Sequence, residues 1–310
     1  MNEEDCIRRV LHRHDSLGID DCKEIGTGGF STVSVRKNKD GKIIAVKTLN
    51  TSNELFSKLS GKDKDKLVHL LLKQEFTIGR LLDHPFIIRT LELNVTTFEI
   101  TFEYCKGMDL LDYLNATLIR KHLPKFCKYF NQLLHAMVYM HHTQGIAHMD
   151  LKLENIMIDF VTDDIKLIDF GQSKSYLSEN DGLPIFQKGR IGTLEYMPPE
   201  VIQLASYNPA KVDLWCAGIV LYNLVYDRMP KLLSSFFHKS YVVSIHNSKF
   251  KVDSKTFPDI YDGDVVISKK DQVIFCNVFE KMFQYVPAKR GTFVDILKTF
   301  SELSFLKIEQ

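Results

Sequence analysis

The densest chemistry in the chain lies between residues 148 and 171. There Asp150, Lys152, Asn155 and Asp169 bracket two short apolar segments. Residues 156–159 and 165–168 read as two strands joined by the polar turn at 161–164. Asn155 precedes the first strand and Asp169 follows the second. Both side chains therefore belong at one open end of a hairpin, opposite its turn. An amide oxygen beside a carboxylate suits Mg²⁺, which prefers hard oxygen ligands and keeps part of its water. Asp150 and Lys152 come just before that end, so a possible base and a cation stand near the possible metal site.

A second pair is separated by a longer stretch of chain. Lys47 closes the strand-like run Ile43, Ile44, Ala45, Val46. A lysine at a strand end is ordinarily a solvated residue. Glu75 changes the odds, because it falls at helical spacing with Leu71, Ile78 and Leu82. A carboxylate on an apolar face is costly unless it is paired. Lys47 is a plausible partner, and such a pair would hold an ammonium where it can grip phosphate. A third signal is the glycine-rich string Ile25, Gly26, Thr27, Gly28, Gly29, Phe30, Ser31, Thr32, Val33. Glycines let backbone N–H groups approach an anion closely. By itself such a string is more often a plain hairpin turn. It runs strand to strand, which argues against a dinucleotide-binding turn leading into a helix.

The elements that must position these residues follow from pattern. Val33 and Val35 alternate with polar residues, and Asn38–Gly41 reads as a turn into the Lys47 strand. Residues 50–66 are rich in Lys, Asp and Ser and read as an exposed insertion. The periodicity predicts a helix over Leu67–Leu82 and strands over Leu91–Thr97 and Phe98–Tyr104. Beyond Leu110 helical patterns dominate, as in Phe126–His142 and Val212–Tyr226. The class is α+β: a small β-rich lobe with one key helix, then a larger helical lobe. The expected limits are an N-terminal extension over 1–20 and one domain over 21–305. That domain divides into an N-lobe of about 21–105 and a C-lobe of about 106–305.

In this order the three segments resemble the motif set of eukaryotic serine/threonine protein kinases. The resemblance covers roughly residues 21–300. It implies ATP and Mg²⁺ as cofactors and the bilobal fold of that family. The glycine-rich segment 25–33 and Ala45 would lie over ATP, Lys47 would contact its α- and β-phosphates, and Glu75 would be the lysine's helix partner. It further implies Asp150 as catalytic base, Lys152 near the transferred phosphoryl, and Asn155 and Asp169 as metal ligands. Phe102 matches the residue that closes the rear of the adenine pocket, Glu103 to Cys105 the hinge, and Asp109 the ribose contact. Met197–Glu200 resembles the Ala-Pro-Glu motif and Arg290 its arginine partner. Asp213 matches an aspartate that braces the catalytic loop. Lys152, with Thr193 in the string Gly192–Tyr196, resembles the serine/threonine form, so protein hydroxyls are the implied acceptors. The 50–66 segment, Lys73–Gly79 and Tyr207–Asp213 are similar to fungal kinases that regulate ion and nutrient transporters.

Two departures from that pattern agree with each other. Met149 stands where most members have an arginine that binds a phosphate on the activation loop. Gly189 stands at the usual acceptor position and has no hydroxyl. Activity independent of that phosphate is therefore expected. Ser173, Ser175, Tyr176 and Ser178 remain as other loop hydroxyls. Ser31 replaces the third glycine of the loop, but neither Ser31 nor Met149 performs the transfer. Two rival readings are a pseudokinase scaffold, which would have lost the lysine, base or metal ligands, and a small-molecule kinase of related fold.

Bulk properties narrow the classes. A net charge of +1 over 310 residues lacks the basic excess of a nucleic-acid binder. The cysteines at 6, 22, 105, 127, 216 and 276 form no CxxC pair, so reduced thiols in the cytoplasm or nucleus are expected. The apolar run Leu214–Tyr226 is too short to span a bilayer and reads as a core helix. His12, His14, His141 and His142 fit no metal-ligand spacing.

Overall fold

The computed structural model describes residues 22–28, 31–51, 56, 58–116, 122–178, 180–230, 258–263 and 265–307. Two compact units emerge. The first joins residues up to 118 with Glu154–Ser173, and the second joins 119–153 with the chain from Lys174. The N-terminal extension at 1–20 lies outside the described residues, as do Gly29 and Phe30.

The strands of interest are β1 Cys22–Thr27, β2 Ser31–Lys37, β3 Ile43–Leu49, β4 Thr90–Asn94, β5 Glu99–Glu103, β6 Gly107–Asp109, β7 Ile146–Ala147, β8 Ile156–Asp159, β9 Asp164–Leu167 and β10 Lys174–Ser175. The first unit is built on an antiparallel sheet in the order β1-β2-β3-β5-β4. Val35, Val46 and Ile100 are fully buried within it. A second sheet, β6-β8-β9, carries the hairpin at 156–167. Here Gly107 is obligatory, because a Cβ at that position would sit 1.6 Å from the Ile158 carbonyl oxygen. β4 and β5 are shorter than predicted. The Asn94 side chain accepts from the backbone N–H groups of Thr96 and Thr97, and this local turn ends the strand.

Helix α1 spans Gly61–Leu81, six residues earlier at its start than the periodicity predicts. Ser60 caps it, accepting from the Asp63 N–H and donating to the Asp63 carboxylate at 2.6 Å. Residues 58–66 are almost all exposed, as expected, but 61–66 are helical and Phe56 is 1% exposed, so the segment is neither wholly irregular nor wholly solvated. The buried stripe is also displaced by one position. It runs through Val68, Leu72, Glu75 and Gly79, whereas Leu71 and Ile78 flank it. Glu75 remains on the buried face. Gly79 lets the helix settle on β4, since a Cβ there would lie 2.2 Å from the Thr90 hydroxyl.

Helix α2, Leu110–Ala116, completes the first unit, and the second is largely helical. Helix α3, Leu123–Val138, passes into a π-turn over Tyr139–Thr143, so the predicted helix 126–142 changes pitch near its end. Helix α4, Pro209–Tyr226, begins with proline at its first position and Asn208 as its cap. It is buried nearly all round, which explains the unbroken apolar run. Helices α5, Lys269–Met282, and α6, Phe293–Phe300, pack with α3 and α4 through Phe130, Phe275, Phe279 and Phe300. The α+β class with an N-terminal antiparallel sheet and a helical C-terminal part is borne out.

Candidate active site

In the first unit, the β-sheet face and the 156–167 hairpin enclose a cavity of about 350 Å³. Ile25, Gly26, Thr27, Gly28, Ser31, Val33, Ala45, Lys47, Glu75, Glu103, Cys105, Asn155 and Asp169 line it. Ile88, Phe102, Met157 and Ile168 supply much of its apolar wall. A concave apolar pocket with a few convergent polar groups is the usual form of a small-ligand site. Thr32 and Asp109 are not among the lining residues. The Asp109 carboxylate instead accepts from the Asp112 N–H at the start of α2. Burial, above all, and then nearby Asp112 and Glu154 raise its pKa.

Lys47 is the centre of the polar set. β3 carries it opposite Val33 on β2 and Ile100 on β5. Its Nζ donates to Glu75 Oε1 at 2.8 Å, to Glu75 Oε2 at 3.0 Å and to Asp169 Oδ1 at 2.8 Å. Burial works against the ammonium, but the two carboxylates outweigh it and hold its pKa above the ordinary value. The pKa of Glu75 is raised as well, which for a carboxyl group favours the neutral form. Burial raises its pKa first, Lys47 lowers it, and Asp169 raises it again. One ammonium between two carboxylates leaves one negative charge uncompensated, so the second carboxyl group ionises less readily.

Asn155 and Asp169 arrive together because of the hairpin register. Ile156 pairs with Leu167, and the Ile168 N–H donates to the Asn155 carbonyl at 2.9 Å. Asp169 sits at φ 63°, a left-handed conformation that a non-glycine residue adopts at a cost of about 1–3 kcal/mol. The donor set fits Mg²⁺: an amide, a carboxylate and surplus negative charge, all oxygen. Among the described residues no three His, Cys, Asp or Glu side chains cluster as a complete metal cage. A cation here would share its shell with water and ligand oxygens, as Mg²⁺ commonly does.

The rear and the rim of the cavity are distinct in character. Phe102 is 8% exposed and lies in β5 next to Glu103. The Glu103 carboxylate is held by Lys166 at 2.9 Å and by the Arg89 N–H at 3.1 Å. Burial, then Asp159, pushes the Cys105 thiol far above its usual pKa, so it is a packing group and not a nucleophile.

In the second unit, Asp150, Lys152 and Thr193 form a closed cluster. Thr193 Oγ1 donates to Asp150 Oδ1 at 2.8 Å, and Lys152 Nζ donates to Thr193 Oγ1 at 2.8 Å. Lys152 Nζ also stands 3.0 Å from Asp150 Oδ2. Gly192 makes this approach possible. It has φ 83°, and a Cβ there would lie 2.6 Å from the Met149 carbonyl oxygen. Asp213 holds the loop from behind, accepting from the N–H groups of His148 at 2.7 Å and Met149 at 2.8 Å. His141 Nε2 contacts the same carboxylate at 2.8 Å. The sequence offered no signal for His141, which lies 72 residues from Asp213. Arg290 grips Glu200 with two bonds, 2.6 and 2.8 Å, beneath the Met197–Glu200 segment. Its guanidinium lies over the Trp215 ring at 4.8 Å.

With this geometry in place, residues 19–300 match the family model described as protein kinase domain. The chain belongs to the protein kinase domain family. The kinase domain is 32% identical to CBL-interacting serine/threonine-protein kinase 20 of Arabidopsis thaliana, over 79% of this chain and 51% of that protein. It is 33% identical to CBL-interacting protein kinase 3 of Oryza sativa subsp. japonica, over 78% and 49%. It is 29% identical to NUAK family SNF1-like kinase 1 of Homo sapiens, over 79% and 35%. The chain thus spans about half the length, or less, of these curated relatives. Among the described residues of the kinase domain, no helix is long and apolar enough to cross a membrane.

Proposed function

We propose that the chain is a serine/threonine protein kinase that transfers the γ-phosphoryl group of ATP to hydroxyls of protein substrates. The observation that carries this reading is Lys47, charged and fixed between Glu75 and Asp169 in the wall of the cavity. A pre-positioned cation needs no reorganisation when phosphate charge arrives, which is where most of such catalysis lies. The apolar wall takes the adenine, with Phe102 closing the rear. Mg²⁺, held by Asn155 and Asp169, neutralises phosphate charge when bound. The relatives whose names specify serine/threonine kinases support the acceptor class.

Asp150 orients the substrate hydroxyl and accepts its proton, while Lys152 stabilises the transferring group. Thr193 bridges the two and restricts the acceptor to short hydroxyl side chains. The pseudokinase reading loses ground because each of these groups is present and paired. Phosphate on the activation loop is not required, since Met149 cannot bind it and Gly189 cannot carry it. Met149 is 1% exposed and packs as a core residue.

Purified protein on a peptide array with Mg·ATP tests both activity and acceptor preference. Asp150→Ala and Lys47→Met are each expected to lower transfer by at least about 100-fold, the scale of one positioned base or charge. An Asp150→Ala protein that turns over like wild type would sink the assignment.

A further inference from the structure

Residues 174–178 and 180–187 are tied to the rest of the second unit by backbone and side-chain bonds. β10 pairs antiparallel with β7. Leu177 bridges Pro184, and the Ser178 N–H donates to the Leu183 carbonyl at 2.9 Å, closing a small hairpin. Gln187 and Tyr207 exchange two backbone bonds, 2.9 and 3.0 Å. Tyr176 sits where these ties meet the catalytic loop. Its N–H donates to the Gly145 carbonyl at 3.0 Å, and its carbonyl accepts from the Ile185 N–H at 2.6 Å. Its hydroxyl donates to the His141 carbonyl at 3.0 Å, and the two rings lie 5.4 Å apart. His141 in turn contacts Asp213, whose two oxygens hold His148 and Met149 immediately before Asp150.

We propose that Tyr176 is a positioning residue that couples residues 174–187 to the Asp150 loop through His141 and Asp213. It supplies a tie between these segments that needs no arginine and no phosphate. The inference rests on the kinase reading above and specifies how the activation segment is held without a phosphate. Tyr176 suits a permanent tie better than a modification site. It is 8% exposed, and burial, then Asp213, pushes its phenol up to about 12, so it stays a neutral donor. Ser173 is fully buried as well. The coupling is mechanical: the hydroxyl and ring fix His141, and His141 limits where the Asp213 carboxylate can sit.

Tyr176→Phe removes the hydroxyl bond and keeps the ring, whereas Tyr176→Ala removes both. Each is compared with wild type in kcat, KM for ATP, melting midpoint and hydrogen exchange over residues 145–149 and 183–193. Tyr176→Phe is expected to lower kcat about threefold to tenfold, the scale of one hydrogen bond. Its KM for ATP stays at the wild-type value, its melting midpoint falls by about a few degrees so that the protein remains folded in the assay, and exchange quickens in both segments. Tyr176→Ala lowers kcat further. Wild-type kcat and wild-type protection in both variants would overturn the proposal. So would a fall in kcat that merely tracks the fraction unfolded, or a wild-type enzyme that phosphatase inactivates through a loop site. Failure of the kinase reading looks different, because wild type would then phosphorylate no peptide. The exchange measurement needs no turnover and decides the coupling even then.

Discussion

At the scale of single residues, the site is dominated by charge placed where water is scarce. Lys47 illustrates the balance. Its burial alone would favour the neutral amine, yet two carboxylates within 2.8 Å reverse the outcome. The raised pKa means the charge persists to higher pH than for a free lysine. The pH profile of kcat/KM should therefore show no limb from Lys47 below about pH 10. Glu75→Gln keeps the shape of the pair and removes its charge. Turnover should fall by about 10- to 100-fold, the effect of a misplaced cation, while the melting temperature changes little. A fold-change below two would show that Asp169 alone suffices to place the lysine. Met149 and Asp169 both adopt left-handed φ, 69° and 63°. Neither is glycine, so packing and hydrogen bonds must hold each conformation at positions that flank the chemistry.

At the scale of elements, buried polar anchors fix helices whose apolar faces are not specific by themselves. Arg290 is 2% exposed and satisfies both oxygens of Glu200 as well as the Lys211 and Gln284 carbonyls. Removing it leaves a buried carboxylate and two carbonyls without these donors. Arg290→Ala should cost about 3–5 kcal/mol in chemical denaturation. Helices α5 and α6 are capped by Ser268 and Thr292, each held by a carboxylate three residues on. Asp271 accepts from Ser268 and from both the N–H and hydroxyl of Ser304, and Asp295 accepts from Thr292 in a reciprocal capping box. Although burial opposes it, hydrogen bonding lowers the pKa of Asp271, and hydrogen bonding to Thr292 lowers that of Asp295. A carboxyl group depressed in the folded state stabilises it above the unfolded pKa. That contribution is lost as pH falls through the folded pKa. The melting temperature should thus drop below about pH 4, and the double variant Asp271→Asn, Asp295→Asn should flatten this drop.

At the scale of the whole molecule, the simplest test is linkage. A ligand that binds only the folded state at 100 times its Kd adds about 2.7 kcal/mol of stability. Mg·ATP should raise the melting temperature of wild type, and Lys47→Met or Asp169→Asn should abolish most of the shift. A shift that survives both substitutions would place the nucleotide outside the cavity described. Asp150→Ala should retain the shift while losing transfer, which separates binding from chemistry.

Much of the site was legible in the order and type of its residues. Hairpin spacing alone put Asn155 and Asp169 at one end, because strand alternation and turn residues are local properties. Helical spacing put Glu75 on the inner face of its helix, although the buried stripe proved to run one residue later than Leu71 and Ile78 suggested. Amphipathic period locates a face only to within a residue when polar and apolar positions are interleaved. The helix start at Gly61 was hidden because its first turns are exposed and polar, and only the Ser60 cap marks it.

The sequence by itself determined the α+β class, a set of candidate residues whose types suit the chemistry, and the absence of an arginine and an acceptor hydroxyl at positions 149 and 189. Those are matters of residue type and local period. The tertiary structure alone decided that Asp213 gathers His141, His148 and Met149, and that Tyr176 is buried with its hydroxyl on the His141 carbonyl. Each of these depends on which distant segments pack together. Packing is set by the sum of many weak contacts over the whole chain, and no short window of sequence carries that sum.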